Sequence, residues 1–143
     1  MANLPDRSGW LNGPLALYPP IPPFPDLTHF ERRALAVLGE LFVSASGRFA
    51  KQVEACRVVD RVDTKVGFYT RIAVDRTKTT ALPISRKGGH FDVPGTQHGL
   101  SITLWDDDGY LSTIEGVTYG GDDLGGQSLV DLDFIGYQLA NGN

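Results

Sequence analysis

His98 and Glu115 are the residues of this chain whose types and spacing best suit chemistry. An imidazole titrates near neutrality, and a carboxylate beside it fixes its tautomer. Such a pair does general acid–base work or orients a nucleophile. His98 precedes, and Glu115 lies within, the stretch from Gly99 to Gly120, which alternates like a β-hairpin. Pairing Glu115 with Ser101 would leave it one or two strand positions from His98. Ser101 itself is mid-strand and lacks the strained Gly-x-Ser-x-Gly elbow of a nucleophilic serine. The bland alternative is the better one on residue types alone: His98 bonds a backbone carbonyl, and Glu115 is a solvated strand residue.

Other chemistry is less well supplied. His90-Phe91-Asp92 with His98 offers two imidazoles and a carboxylate, without the helical spacing that presets zinc ligands. Asp106-Asp107-Asp108-Gly109 opens like a calcium loop, but Val117 stands where the bidentate Glu should be. Gly120-Gly121 and Gly125-Gly126 have no following helix or Lys to cradle phosphate. Arg76, Lys78, Arg86 and Lys87 are scattered and not interleaved with aromatics, which disfavours nucleic acid. No metal and no cofactor is expected.

The hairpin must position these groups. Leu100, Ile102, Leu104 and Ile114 form one apolar face; Ser101, Thr103, Trp105, Leu111, Thr113 and Glu115 form the other. A turn at Asp106–Gly109 with a bulge at Gly109 sets Ile102 opposite Ile114, Leu104 opposite Ser112, and Trp105 opposite Leu111. Upstream, Thr28 with Glu31 three residues later reads as a capping box. It starts a helix that buries Leu27, Phe30, Ala34, Leu35 and Leu38 and turns Glu31, Arg32, Arg33 and Glu40 to water. A second helix is expected over Arg48–Cys56. Arg57–Asp63, Gly67–Asp75 and Leu129–Tyr137 alternate as strands, whereas Arg76–His98 reads as a long irregular loop. Two N-terminal helices on one face of an antiparallel or mixed sheet of about five strands is an α+β fold.

Residues 1–25 hold seven of the nine prolines and read as an extended arm before a single domain over 26–143. The arm is expected to lie across its own domain; Pro19 to Pro22 also has the PxxP spacing. The chain of 143 residues has one cysteine, Cys56, which rules out an internal disulfide. It has no apolar run of membrane-spanning length and no leader pattern at its start, so a cytoplasmic location without membrane attachment is expected.

Charge is unevenly placed. All thirteen Lys and Arg fall before Gly88, against eight carboxylates, so that part carries +5. Gly88–Asn143 has nine carboxylates and no Lys or Arg. Either the two parts neutralise each other in space, or an acidic face attracts a basic partner.

Val66-Gly67-Phe68-Tyr69-Thr70, Pro94-Gly95-Thr96-Gln97-His98-Gly99 and Glu115-Gly116-Val117-Thr118-Tyr119-Gly120 resemble motifs of a family of small bacterial proteins of unassigned function. The family pairs G-F-[FY]-T, P-G-x-x-H-G and E-G-x-T-Y-G segments. The resemblance spans about Phe30 to Gly120 and implies no activity or catalytic residue.

The functional expectation is a small acidic binding protein, such as a bacterial immunity or inhibitor protein, docking a basic partner that could be a toxin. Asp106, Asp107, Asp108, Asp122, Asp123, Asp131 and Asp133 are its candidate contact residues. A small enzyme using His98 and Glu115 and a structural subunit are the alternatives.

Overall fold

A computed structural model describes residues 22, 24–84 and 86–140. The proline-rich arm expected over 1–25 lies almost wholly outside the described residues. Helix α1, His29–Leu38, begins as its capping box dictates: the Thr28 hydroxyl accepts from the Glu31 N–H at 3.1 Å, and the Glu31 carboxylate accepts from the Thr28 N–H at 2.7 Å. Helix α2 runs over Ser46–Glu54, not Arg48–Cys56, because Cys56 already opens a strand.

Six strands follow: β1 (Cys56–Asp63), β2 (Gly67–Val74), β3 (Gly88–Asp92), β4 (Leu100–Asp107), β5 (Tyr110–Thr118) and β6 (Gly136–Ala140). They form one antiparallel sheet in the order β1-β2-β5-β4-β3-β6. The fold is α+β. The sheet has six strands where about five are expected, and the two helices occupy the chain before it without being N-terminal. The added strand is β3, inside the stretch that reads as a loop. Its sequence, Gly-Gly-His-Phe-Asp, has one apolar residue to mark an inward face.

Leu129–Tyr137 is not a strand. Leu129–Asp131 forms a 3-10 turn, and β6 starts only at Gly136. Asp131 and Asp133 therefore do not share a strand face.

The central hairpin keeps its faces but not its expected register. Asp108 (φ 52) and Gly109 (φ 88) make a two-residue turn of the primed type, which matches the strand twist. The bulge sits in the strands, beside Trp105 and Asp106, so Leu104 meets Ile114 and Ile102 meets Gly116. This two-residue shift preserves the period-2 faces in the body of the hairpin. Past the bulge the parity changes, and Leu111 (1% exposed) is in the core, not on the opposite face.

The core lies between the helices and one sheet face. Leu100, Ile102, Leu104 and Ile114 pack with Phe30, Leu35 and Leu38 of α1 and Phe49 of α2. Phe30 meets Phe68, Phe91 and Phe134 edge-on, at 6.1, 6.4 and 5.9 Å. Gln52 of α2, fully buried, donates to Thr80 O and Gly109 O and accepts from Leu111 N–H, which fixes the hairpin tip to the helix. Glu31 does not face water: it is 2% exposed and bonds the buried Arg61 and Thr70.

Candidate functional site

The sheet face away from the core carries a set of polar and titratable side chains. Strand alternation and register put Gln138, His90, Ser101 and Val117 in one row across β6, β3, β4 and β5. The next row carries Thr103, Glu115 and Tyr69 over β4, β5 and β2.

His98 and Glu115 engage different partners. His98 Nδ1 lies 2.9 Å from Asp122 Oδ2, in the loop after β5. Glu115 pairs with Thr103, not Ser101, and accepts a hydrogen bond from the Trp105 indole N–H at 2.9 Å. Burial, and then the Glu115 carboxylate beside it, hold the Tyr69 phenol above its usual range. Among the described residues no hydrogen bond or ion pair joins His98 to Glu115. Nor, among the described residues, does His98 bond the backbone carbonyl that the bland alternative expects.

A different histidine is the better organised one. His90 Nε2 lies 2.8 Å from Asp92 Oδ1, and Nδ1 lies 3.1 Å from the Tyr119 hydroxyl. With Nε2–H donating to Asp92, Nδ1 is the acceptor for the Tyr119 O–H. Two glycines make room for this chain of groups. A Cβ on Gly99 (φ 77) would come within 2.8 Å of His90 Cε1, and one on Gly136 within 2.8 Å of Asp92 Oδ2. His90 and Asp92 are two residues apart, the strand spacing that puts both on one face, but that reading needs β3 to be recognised as a strand. Tyr119 comes from the far end of β5.

The seven candidate aspartates occupy three places. Asp106, Asp107 and Asp108 form the β4–β5 tip: Asp106 accepts from Gly109 N–H, Asp107 pairs with Arg76 at 3.3 Å, and Asp108 is exposed. Asp122 and Asp123 lie past the other end of β5, roughly 27 Å away at strand rise. Asp122 holds His98 there, and Asp123 accepts from Gly125 N–H. Asp131 is exposed, and Asp133 pairs with Arg33 on α1. The Phe134 N–H, then Arg33, keep the Asp133 carboxyl below the usual range.

Three other cations pair with carboxylates that also precede Gly88. Arg61 pairs with Glu31, Arg71 with Asp60 and Lys78 with Asp75. Only Arg33–Asp133 and Arg76–Asp107 cross between the two halves among the Lys and Arg ion pairs of the described residues.

No family model, curated protein or solved structure matches the chain.

Proposed function

We propose that the protein acts by binding, as a small acidic inhibitor or immunity-type protein, and that a basic partner such as a toxin docks at the β4–β5 tip. The observation that carries this reading is the pairing of the cations. Among the described residues only Arg33–Asp133 and Arg76–Asp107 join a Lys or Arg to a carboxylate after Gly88, so most of the acidity there is not cancelled by Lys or Arg. An acidic surface that is not neutralised repels itself and speeds encounter with a basic surface. Of the acidic places, the tip concentrates three carboxylates against one arginine. Its position is also fixed: Gln52 and the Leu82 N–H both bond the carbonyl of Gly109. A partner would therefore meet a preorganised surface.

The test is association with a lysine- and arginine-rich peptide followed by surface plasmon resonance across a salt series. Affinity should fall steeply as the Debye length shrinks from ~10 Å at 0.1 M to ~3 Å at 1 M. The Asp106→Asn/Asp107→Asn/Asp108→Asn triple variant should slow association more than it speeds dissociation. Salt-independent binding, or equal binding by the triple variant, would remove the tip from consideration. Asp131→Asn is the control for non-specific charge.

A further inference from the structure

The open sheet face carries a cleft of about 390 Å³ lined by Arg86, His90, Ser101, Thr103, Tyr119 and Gln138, with the backbone of Gly88 and Gly89. Its side chains are donors or neutral groups, and no carboxylate lines it. Asp92 lies behind His90, on the ring nitrogen opposite Tyr119. The nearby Glu115 carboxylate is engaged by Trp105.

Arg86 is the unusual member. It has φ 59, the left-handed region that side chains other than Gly, Asn and Asp seldom adopt. Strain of this kind persists where the surroundings or a function hold it. Arg86 is exposed, makes no hydrogen bond or ion pair among the described residues, and sets its guanidinium 5.6 Å from the Trp105 ring centre. Stacking on an aromatic face leaves the planar N–H fork of an arginine available for anionic oxygens.

The glycines next to it let the strands beneath the cleft approach closely. A Cβ on Gly88 would come within 2.0 Å of Ile102 O, and one on Gly89 within 2.7 Å of Gln138 O. The strands β4, β3 and β6 thus close together under the cleft with no side chain from either glycine.

We propose that this cleft binds a small ligand through its carboxylate or phosphate group, anchored by Arg86, with the Tyr119 hydroxyl as a second donor released when His90 takes up a proton. With neutral His90, the Tyr119 O–H is spent on Nδ1. Protonated His90 donates from both nitrogens, to Asp92 and to the Tyr119 oxygen, and the phenol proton turns to the ligand. The groups that face His90 are Asp92 on its own strand, Tyr119 after β5, and the uncharged Ser101 on β4 and Gln138 on β6. Arg86 is the other charged group lining the cleft. Anion binding therefore carries a proton with it and tightens as pH falls. The case for this site does not rest on the partner surface proposed above.

Isotope-labelled protein is titrated with inorganic phosphate and, separately, with acetate, at about pH 6 and about pH 8. Saturable shifts of the Gly88, Gly89 and Ser101 amides and the Trp105 indole are expected, several-fold tighter at the lower pH for acetate, whose charge is the same at both. Whichever probe saturates at the lower concentration names the group. Arg86→Gly relieves the left-handed strain, so it should melt no lower than the parent yet lose affinity by about tenfold or more, the worth of a charge-assisted hydrogen bond. Tyr119→Phe should keep Arg86-dependent binding and show a smaller pH dependence. Shifts that never saturate with either probe, or that Arg86→Gly leaves intact, overturn the site. A pH dependence undiminished in Tyr119→Phe overturns the proton-linked donor.

Discussion

Replacing Arg61 with Met tests whether the first helix is tied to the sheet by a buried charge pair. Arg61 is 0% exposed and Glu31 2%. Arg61 Nε and one terminal nitrogen sit 2.8 and 2.7 Å from the two carboxylate oxygens, and the terminal nitrogen also donates to Asp26 O. Loss of the guanidinium leaves the Glu31 carboxylate only the Thr28 N–H and the Thr70 hydroxyl. Leaving one member of such a pair without its counter-charge costs ~3–5 kcal/mol. That is a large share of the ~5–15 kcal/mol of a typical domain. Glu31→Gln retains the shape of the cap and should lose a similar amount, because Arg61 then loses the counter-charge of Glu31. The double variant Glu31→Leu/Arg61→Met removes both charges, and what remains lost is chiefly the cap, worth ~1 kcal/mol. Closed with Glu31→Leu as the matching single variant, the double-mutant cycle sets two losses of ~3–5 kcal/mol against ~1 kcal/mol for the pair and should show a coupling of ~5–9 kcal/mol. Urea unfolding followed by tryptophan fluorescence measures it as a shift in midpoint at constant slope. Single variants each costing under ~1 kcal/mol, or strictly additive losses, would refute the argument.

Two further outcomes follow from burial. Ile102→Ala empties a core position that is 0% exposed and should cost ~2–5 kcal/mol; Thr103→Ala on the open face should cost about 1 kcal/mol or less, and equal losses in a denaturant titration would show that the sheet is not one-sided. Burial pushes the Cys56 thiol up from 9.0 to about 11, so the unfolded chain releases that proton first and stability should decline between about pH 9 and about pH 11. Tyr69, also raised, adds to the same alkaline loss, so Cys56→Ser should flatten the melting-temperature slope without abolishing it, and an unchanged slope would contradict the assignment.

What could be read in the sequence was local. The capping box needs only Thr28 and Glu31, three residues apart, and α1 begins where they place it. The hairpin faces follow from a period of two and survive an error of two in register. What escaped was set by distant partners. Glu31 looks like a solvent residue until Arg61, thirty positions on, is folded against it. β3 has too few apolar residues to declare itself and takes its place by pairing with β4 and β6. The Asp92–His90–Tyr119 chain depends on that strand, so it was hidden too. His98 and Glu115 belong to loops and rows that the assumed register brought closer than the bulged one does.

The two proposed surfaces are also near enough to feel one another. Arg86 sits over Trp105, and Asp106, Asp107 and Asp108 follow Trp105 directly along the chain, so at strand rise the tip begins roughly 3 Å and ends roughly 10 Å further on. At ~0.15 M salt the Debye length is ~8 Å, and at 0.01 M it is ~30 Å. The tip carboxylates should therefore oppose an anion in the cleft at low salt and scarcely do so at high salt. Neutralising them by the triple Asn substitution should tighten phosphate or acetate binding at ~0.01 M salt, with the gain gone by ~1 M. A basic partner on the tip removes the same repulsion, and linkage then requires the anion to tighten the partner in equal measure. Titrating the cleft with and without the basic peptide measures this coupling directly. A gain that persists at high salt would show that the substitutions changed the cleft itself, and its absence at low salt would separate the two surfaces electrostatically.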